Sequence, residues 1–189
     1  MAYVPQAISM AFPYKGREVV MMGRTAHFGL GAGPGKKDRL ICDQALEQLG
    51  ITDLADRQFN QMSGGERQMI LVARAIAQQA KILVMDEPTA NLDYSNQVRI
   101  LQIINKLAAQ DYSIIMTTHY PDHAFLACNH VALMRNGRIV EQGAPYDVVI
   151  TNNLTKLYQT PVYVTDVALP GANTTKVCVP IINKLEEKI

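Results

Sequence analysis

One stretch constrains this chain more than any other: a capped helix that leads into a short apolar strand ending in two adjacent carboxylates. Residues 62–68 read Met-Ser-Gly-Gly-Glu-Arg-Gln, and residues 82–93 read Ile-Leu-Val-Met-Asp-Glu-Pro-Thr-Ala-Asn-Leu-Asp. Ser63 and Glu66 have capping-box spacing, which predicts a helix running to about Ala80 on Met69, Ile70, Val72, Ala73, Ile76 and Ala77. Lys81–Asp86 then reads as a buried strand. A gap of about twenty residues between the two motifs is what one helix plus one strand occupies.

The rest of the chain repeats this alternation. Asp38 is placed to cap a helix over about 39–49, with Leu40, Ile41, Ala45, Leu46 and Leu49 as its apolar stripe and Gly50 as its stop. A short helix or turn is expected around 53–56. Asp93 or Ser95 caps a helix to about Gln110, with Val98, Ile100, Leu101, Ile104 and Leu107 inward, and Ser113–Thr117 forms another strand. Pro121 suits the first turn of a helix through Cys128. His130–Met134 and Arg138–Glu141 flank Asn136-Gly137, a strong hairpin turn. Residues 145–160 read as one helix, 161–189 as a tail with β-prone stretches and a charged end, and 7–37 as irregular. Strands alternating with helices predict an α/β fold on a mostly parallel sheet, finished by an antiparallel hairpin.

The chemistry lies at two places. In open α/β sheets, ligands bind beyond the carboxyl ends of the strands, where Asp86 and Glu87 fall. Adjacent carboxylates there suit Mg²⁺-nucleotide hydrolysis, with Asp86 holding the metal and Glu87 handling the attacking water. At Ser63-Gly64-Gly65, small residues and a cap leave helix N–H groups pointing outward, an arrangement that favours an anion.

Together these segments resemble the signature and Walker B motifs of ABC-type ATPases, and the likeness extends over nearly the whole chain. The resemblance implies ATP and Mg²⁺ as ligands and a partial RecA-like P-loop NTPase core with an inserted ABC α-helical subdomain. It divides the chain into 1–6 (end of a core strand and Q-loop), 7–78 (helical subdomain), 79–144 (second part of the core) and 145–189 (C-terminal helices and tail). It implies that Ser63, Gly64 and Gly65 bind the γ-phosphate of a nucleotide held by an opposite subunit, with Glu66 standing where Gln is commonest. Gln6, after Tyr3-Val4-Pro5, resembles the Q-loop glutamine that touches Mg²⁺ and links the core to a transmembrane subunit. Asp93 resembles the D-loop aspartate and His119 the switch histidine that senses the γ-phosphate.

The segment Val19–His27 is similar to the iron–siderophore, haem and cobalamin importer branch. That branch implies two membrane permeases, a second ATPase subunit arranged head to tail, an external binding protein, and a place on the cytoplasmic face of the membrane. The family's G-x-x-x-x-G-K-[ST] phosphate loop has no match in this sequence. The nearest segment, Gly31–Lys37, has Leu30 and Lys37 at defining positions and reads as a Gly/Pro loop. The chain is therefore expected to lack the N-terminal part of the family domain, leaving apolar surface beside the 81–86 strand and an unpaired sheet edge.

Composition narrows the alternatives. The 189 residues are 48% hydrophobic and 19% charged, ordinary for a globular chain, and a net charge of +1 offers no electrostatic footprint for nucleic acid. Cys42, Cys128 and Cys178 lack metal-ligand spacing and read as reduced thiols. Two readings stand beside an ATP-hydrolysing importer subunit. One is a non-catalytic subunit lending Ser63, Gly64 and Gly65 to a partner's site; the other is a DNA-repair or translation relative, disfavoured by charge and by the lack of a coiled coil or second ATPase unit.

Overall fold

A computed structural model of the protein describes residues 1–6, 8, 10–29, 33–171 and 174–182. They fall into two compact units, Met1–Thr118 and His119–Ile189. The charged end, Lys184–Lys188, lies outside the described residues.

In the first unit, β1 (Ala2–Val4), β2 (Ile82–Met85) and β3 (Ser113–Met116) form a parallel sheet in the order β1-β2-β3. Strand β2 is paired on both sides, so among the described residues β1 and β3 are the edges of this sheet. Strand alternation turns Ala2, Val4, Leu83 and Met85 to one buried face. The other face carries Tyr3, Ile82 and Ile115, which are 52%, 43% and 61% exposed. The 81–86 strand is therefore buried on one side only, and the expected apolar surface lies beside it. Parallel sheets are ordinarily covered on both faces. Here α3 (Gly64–Ala77) packs against β1, and α4 (Tyr94–Ala108) against β3.

Between β1 and β2 the chain is helical. The expectation that 7–37 is irregular is corrected by α1 (Gly16–Met21) and a 3-10 helix over Met22–His27. Six residues are too few to display a helical period, and α1 owes its stability to packing on α3, with Val19 and Val20 fully buried. The Lys15 N–H donates to Glu18 Oε2 at 2.7 Å and closes its first turn. Two glycines permit the close approach: a Cβ at Gly16 would stand 2.4 Å from the Leu54 carbonyl oxygen, and one at Gly23 2.2 Å from that of Arg74. Arg24, 3% exposed, donates to Asp38 Oδ1 at 3.0 Å, to the Ala77 carbonyl at 2.9 Å and to Gln79 Oε1 at 2.9 Å, closing the C-terminal end of α3.

Helix α2 (Lys36–Gln48) starts earlier than expected. Its N-cap is Gly35, and Asp38 sits in the first turn, accepting the Gly35 N–H at 3.0 Å. Lys36 and Lys37 therefore belong to a helix rather than to a Gly/Pro loop; residues 30–32 of that loop lie outside the described residues. Gly50, at φ +65°, ends the helix region as expected.

The second unit has its own core of Ala124, Leu133, Val148, Val149, Leu154 and Val162. The hairpin of β4 (Val131–Arg135) and β5 (Arg138–Gly143) turns at Asn136 and Gly137, whose φ values of 51° and 73° meet the needs of a two-residue turn. Helix α5 (His123–Ala127) starts after Asp122, so Pro121 precedes the cap instead of entering the first turn. The single helix expected over 145–160 divides into α6 (Pro145–Val148) and α7 (Thr151–Tyr158). The β-branched run Val148-Val149-Ile150 disfavours helix, and Asn153 Nδ2 donates to the Val148 carbonyl at 3.0 Å. The β-prone tail forms an antiparallel pair, β6 (Val162–Ala168) with β7 (Thr174–Pro180). Among the described residues, no helix is long and apolar enough to cross a membrane.

Candidate functional site

The carboxyl ends of the three parallel strands bring together residues from three parts of the sequence. Asp86 continues β2, its N–H bonded to the Val4 carbonyl at 2.9 Å, and Thr117 continues β3, its N–H bonded to the Met85 carbonyl at 3.0 Å. Thr117 Oγ1 donates to Asp86 Oδ1 at 2.7 Å and accepts the Glu87 N–H at 3.0 Å. Tyr3, on β1, donates its hydroxyl to Asp86 Oδ2 at 3.2 Å. Desolvation first, and the Asp86 carboxylate second, push the Tyr3 phenol above its ordinary value. Gln6 Nε2 donates to Glu87 Oε2 at 3.1 Å. The structure thus brings Gln6 to Glu87, beside Asp86, and adds Tyr3 and Thr117, which the sequence does not single out. A hydroxyl at the end of a neighbouring strand was the available signal, and only strand register makes it meaningful.

Glu87 occupies the left-handed region, at φ +42°. That conformation costs a non-glycine residue roughly 1–2 kcal/mol and calls for external restraint. Its N–H on Thr117 and its carbonyl, which accepts the Ala90 N–H at 3.0 Å, supply restraint on both sides.

The second cluster is the start of α3. Ser63 is the N-cap: its hydroxyl accepts the Glu66 N–H at 3.3 Å, and Glu66 Oε2 accepts the Ser63 N–H at 2.7 Å. That backbone bond is the main cause holding the Glu66 carboxyl below its usual range, with the Arg57 guanidinium contributing less. Asp93 caps α4, accepting the Asn96 N–H at 2.9 Å, and this bond lowers its carboxyl too. The two caps are neighbours. A Cβ on Gly65 would meet the Asn96 side chain at 2.5 Å, and one on Gly64 would touch Leu92 at 3.6 Å. A cleft of about 360 Å³ joins Gln6 to Gly64, Gln68 and Asn91. His119 is the first residue of the second unit, two residues beyond Thr117.

Comparison with known proteins matches the first 90 residues to the ABC transporter family. An ABC transporter ATP-binding protein of Haemophilus influenzae is 43% identical over 160 residues, covering 85% of this chain and 61% of the relative. The molybdate import ATP-binding protein MolC of the same organism is 37% identical over 164 residues, covering 86% and 64%. The chain thus spans somewhat under two thirds of the curated relatives it matches. A chain from an inward-facing ABC transporter assigned to the metal-chelate type superposes with a TM-score of 0.91 at 33% identity, covering 95% of this chain and 72% of that one. The α/β architecture is that of a partial RecA-like core with an inserted helical subdomain. By sequence and by fold, the chain belongs to the ABC transporter family.

Proposed function

We propose that the chain is the ATP-binding and ATP-hydrolysing part of an ABC importer for metal-containing cargo. The cluster of Asp86, Glu87, Thr117, Tyr3 and Gln6 at the carboxyl edge of the parallel sheet carries this reading. Among the described residues, no group of three or more His, Cys, Asp or Glu side chains could hold a metal alone. Two hard carboxylates suit Mg²⁺, which binds through one or two carboxylates plus substrate phosphate oxygens. Asp86 would hold it, with Gln6 nearby; when bound, it neutralises charge on the phosphoryl oxygens. Glu87 orients the attacking water and takes its proton, and His119 senses the γ-phosphate.

Ser63, Gly64, Gly65 and Glu66 face the triphosphate of an opposite subunit, with Asp93 at the same interface. The division at residues 6, 78 and 144 is part of this reading and rests on the family resemblance. No phosphate loop occurs among these 189 residues, so the remaining β/γ-phosphate contacts come from outside this sequence. Its partners are permeases, a second ATPase subunit in head-to-tail contact and, indirectly, an external binding protein, on the cytoplasmic face of the membrane. The cargo class rests on relatives named for molybdate, cobalamin, iron-chelatin and hemin transport.

One other reading is a non-catalytic subunit that supplies Ser63-Gly64-Gly65 to a complete partner. Titration with MgATP, of this chain alone and mixed with a complete homologue, separates the two. Under the catalytic reading, Glu87→Gln keeps ATP binding and lowers turnover by at least about a hundredfold. Unchanged turnover removes Glu87 from the reaction and leaves the non-catalytic reading standing.

A further inference from the structure

We propose that Thr117 is the positioning residue of the acidic pair, setting the angle between the metal-holding and water-orienting carboxylates. The proposal rests on the functional reading above. One hydroxyl makes both contacts: it donates to Asp86 Oδ1 at 2.7 Å and accepts the Glu87 N–H at 3.0 Å. A hydroxyl has one proton, so donating to Asp86 leaves its lone pairs to receive the Glu87 amide. The two contacts use different parts of the hydroxyl and are therefore made together.

The geometry needs such a brace. Asp86 and Glu87 are consecutive, and in an extended strand their side chains would point to opposite faces. The left-handed turn at Glu87, φ +42°, departs from that alternation. Gln6 then fixes the far end of the Glu87 side chain, at 3.1 Å from Oε2. Thr117 thus does for the Glu87 backbone what Gln6 does for its carboxylate. Because Thr117 also continues β3, paired to Met85, its bridge ties the acidic turn to the neighbouring strand.

Thr117→Val removes the hydroxyl at nearly constant shape, and Thr117→Ser keeps it. Two measurements decide the matter, both on the 189-residue chain mixed with a complete homologue rendered inactive. The first is exchange of the Glu87 amide hydrogen, which needs no nucleotide. The second is Mn²⁺ affinity in the presence of ATP, read from the electron paramagnetic resonance signal of free Mn²⁺. Thr117→Val is expected to speed Glu87 exchange and to weaken Mn²⁺ binding about tenfold, the scale on which residues supporting a metal ligand act. Thr117→Ser restores both, and the thermal midpoint stays with the unsubstituted chain. Tyr3→Phe, which takes a different hydroxyl from Asp86, leaves Glu87 exchange unchanged. Mn²⁺ binding that survives Thr117→Val overturns the proposal alone, as does Glu87 exchange indifferent to the substitution. If the unsubstituted mixture binds no Mn²⁺–ATP, the functional reading falls and takes the proposal with it.

Discussion

At the scale of single residues, the start of α3 shows how one carboxylate serves a helix. Glu66 returns to the Ser63 N–H while Ser63 accepts the Glu66 N–H, so two otherwise unsatisfied donors are paired reciprocally. Ser63→Ala removes half of that box and is expected to cost about 1 kcal/mol, measurable by urea unfolding. The Glu66 carboxyl is held below its ordinary value, first by the Ser63 N–H. A lowered folded-state value means the bond's contribution is complete above the unfolded Glu value of about 4.3 and is lost as pH falls below it. Glu66→Gln should flatten that part of the stability–pH curve. A curve that keeps the same slope would show that the proton enters elsewhere.

Elements meet here through backbone contact as much as through side chains. The 3-10 helix of 22–27 crosses α3 so closely that a methyl group at Gly23 would overlap the Arg74 carbonyl. A backbone carbonyl cannot swing aside as a flexible side chain does. Gly23→Ala is therefore expected to destabilise the first unit by about 1–3 kcal/mol through overpacking, seen as a lowered urea midpoint. Arg24 is the polar counterpart of this crossing. Its guanidinium is spread over Asp38, the Ala77 carbonyl and Gln79, three separate points around the end of α3. Arg24→Met leaves those acceptors without their buried donor and should lower the urea midpoint of the first unit. Arg24→Lys should recover only part of the loss, since an ammonium cannot reproduce the planar fork.

The molecule as a whole carries an imbalance in its first unit. The parallel sheet is covered on the face of Val4, Leu83 and Met85 and open on the face of Tyr3, Ile82 and Ile115. Exposed contiguous apolar surface of this kind marks a place where further protein is accommodated or where association begins. The isolated chain is expected to bind a hydrophobic dye such as anilinonaphthalene sulfonate at pH 7. Ile115→Thr, together with Ile82→Thr, should reduce that fluorescence without loss of far-ultraviolet ellipticity. Dye binding that is absent from the start would mean that the face is covered in solution. Burial pushes the Cys42 thiol up to about 11, and desolvation followed by the neighbouring Asp122 carboxylate pushes that of the half-buried Cys178 up to about 12.

What could be read from the residues was whatever depends on near neighbours in the chain. The Ser63–Glu66 box, the Asp93 cap, the Asn136-Gly137 turn and the Asp86-Glu87 pair at a strand end all obey rules spanning a few positions. Tertiary structure decided the rest. Helix α1 is too short to announce itself and exists because α3 covers it; the 145–160 segment breaks because β-branching outweighs its apolar period; Asp38 moves inside its helix to reach Arg24. The meeting of Tyr3 and Thr117 with Asp86 was equally out of reach. Their contacts cross more than eighty positions of sequence in one direction and about thirty in the other. Hydrogen-bond register between parallel strands sets such long-range neighbours, and no local pattern of residues encodes it.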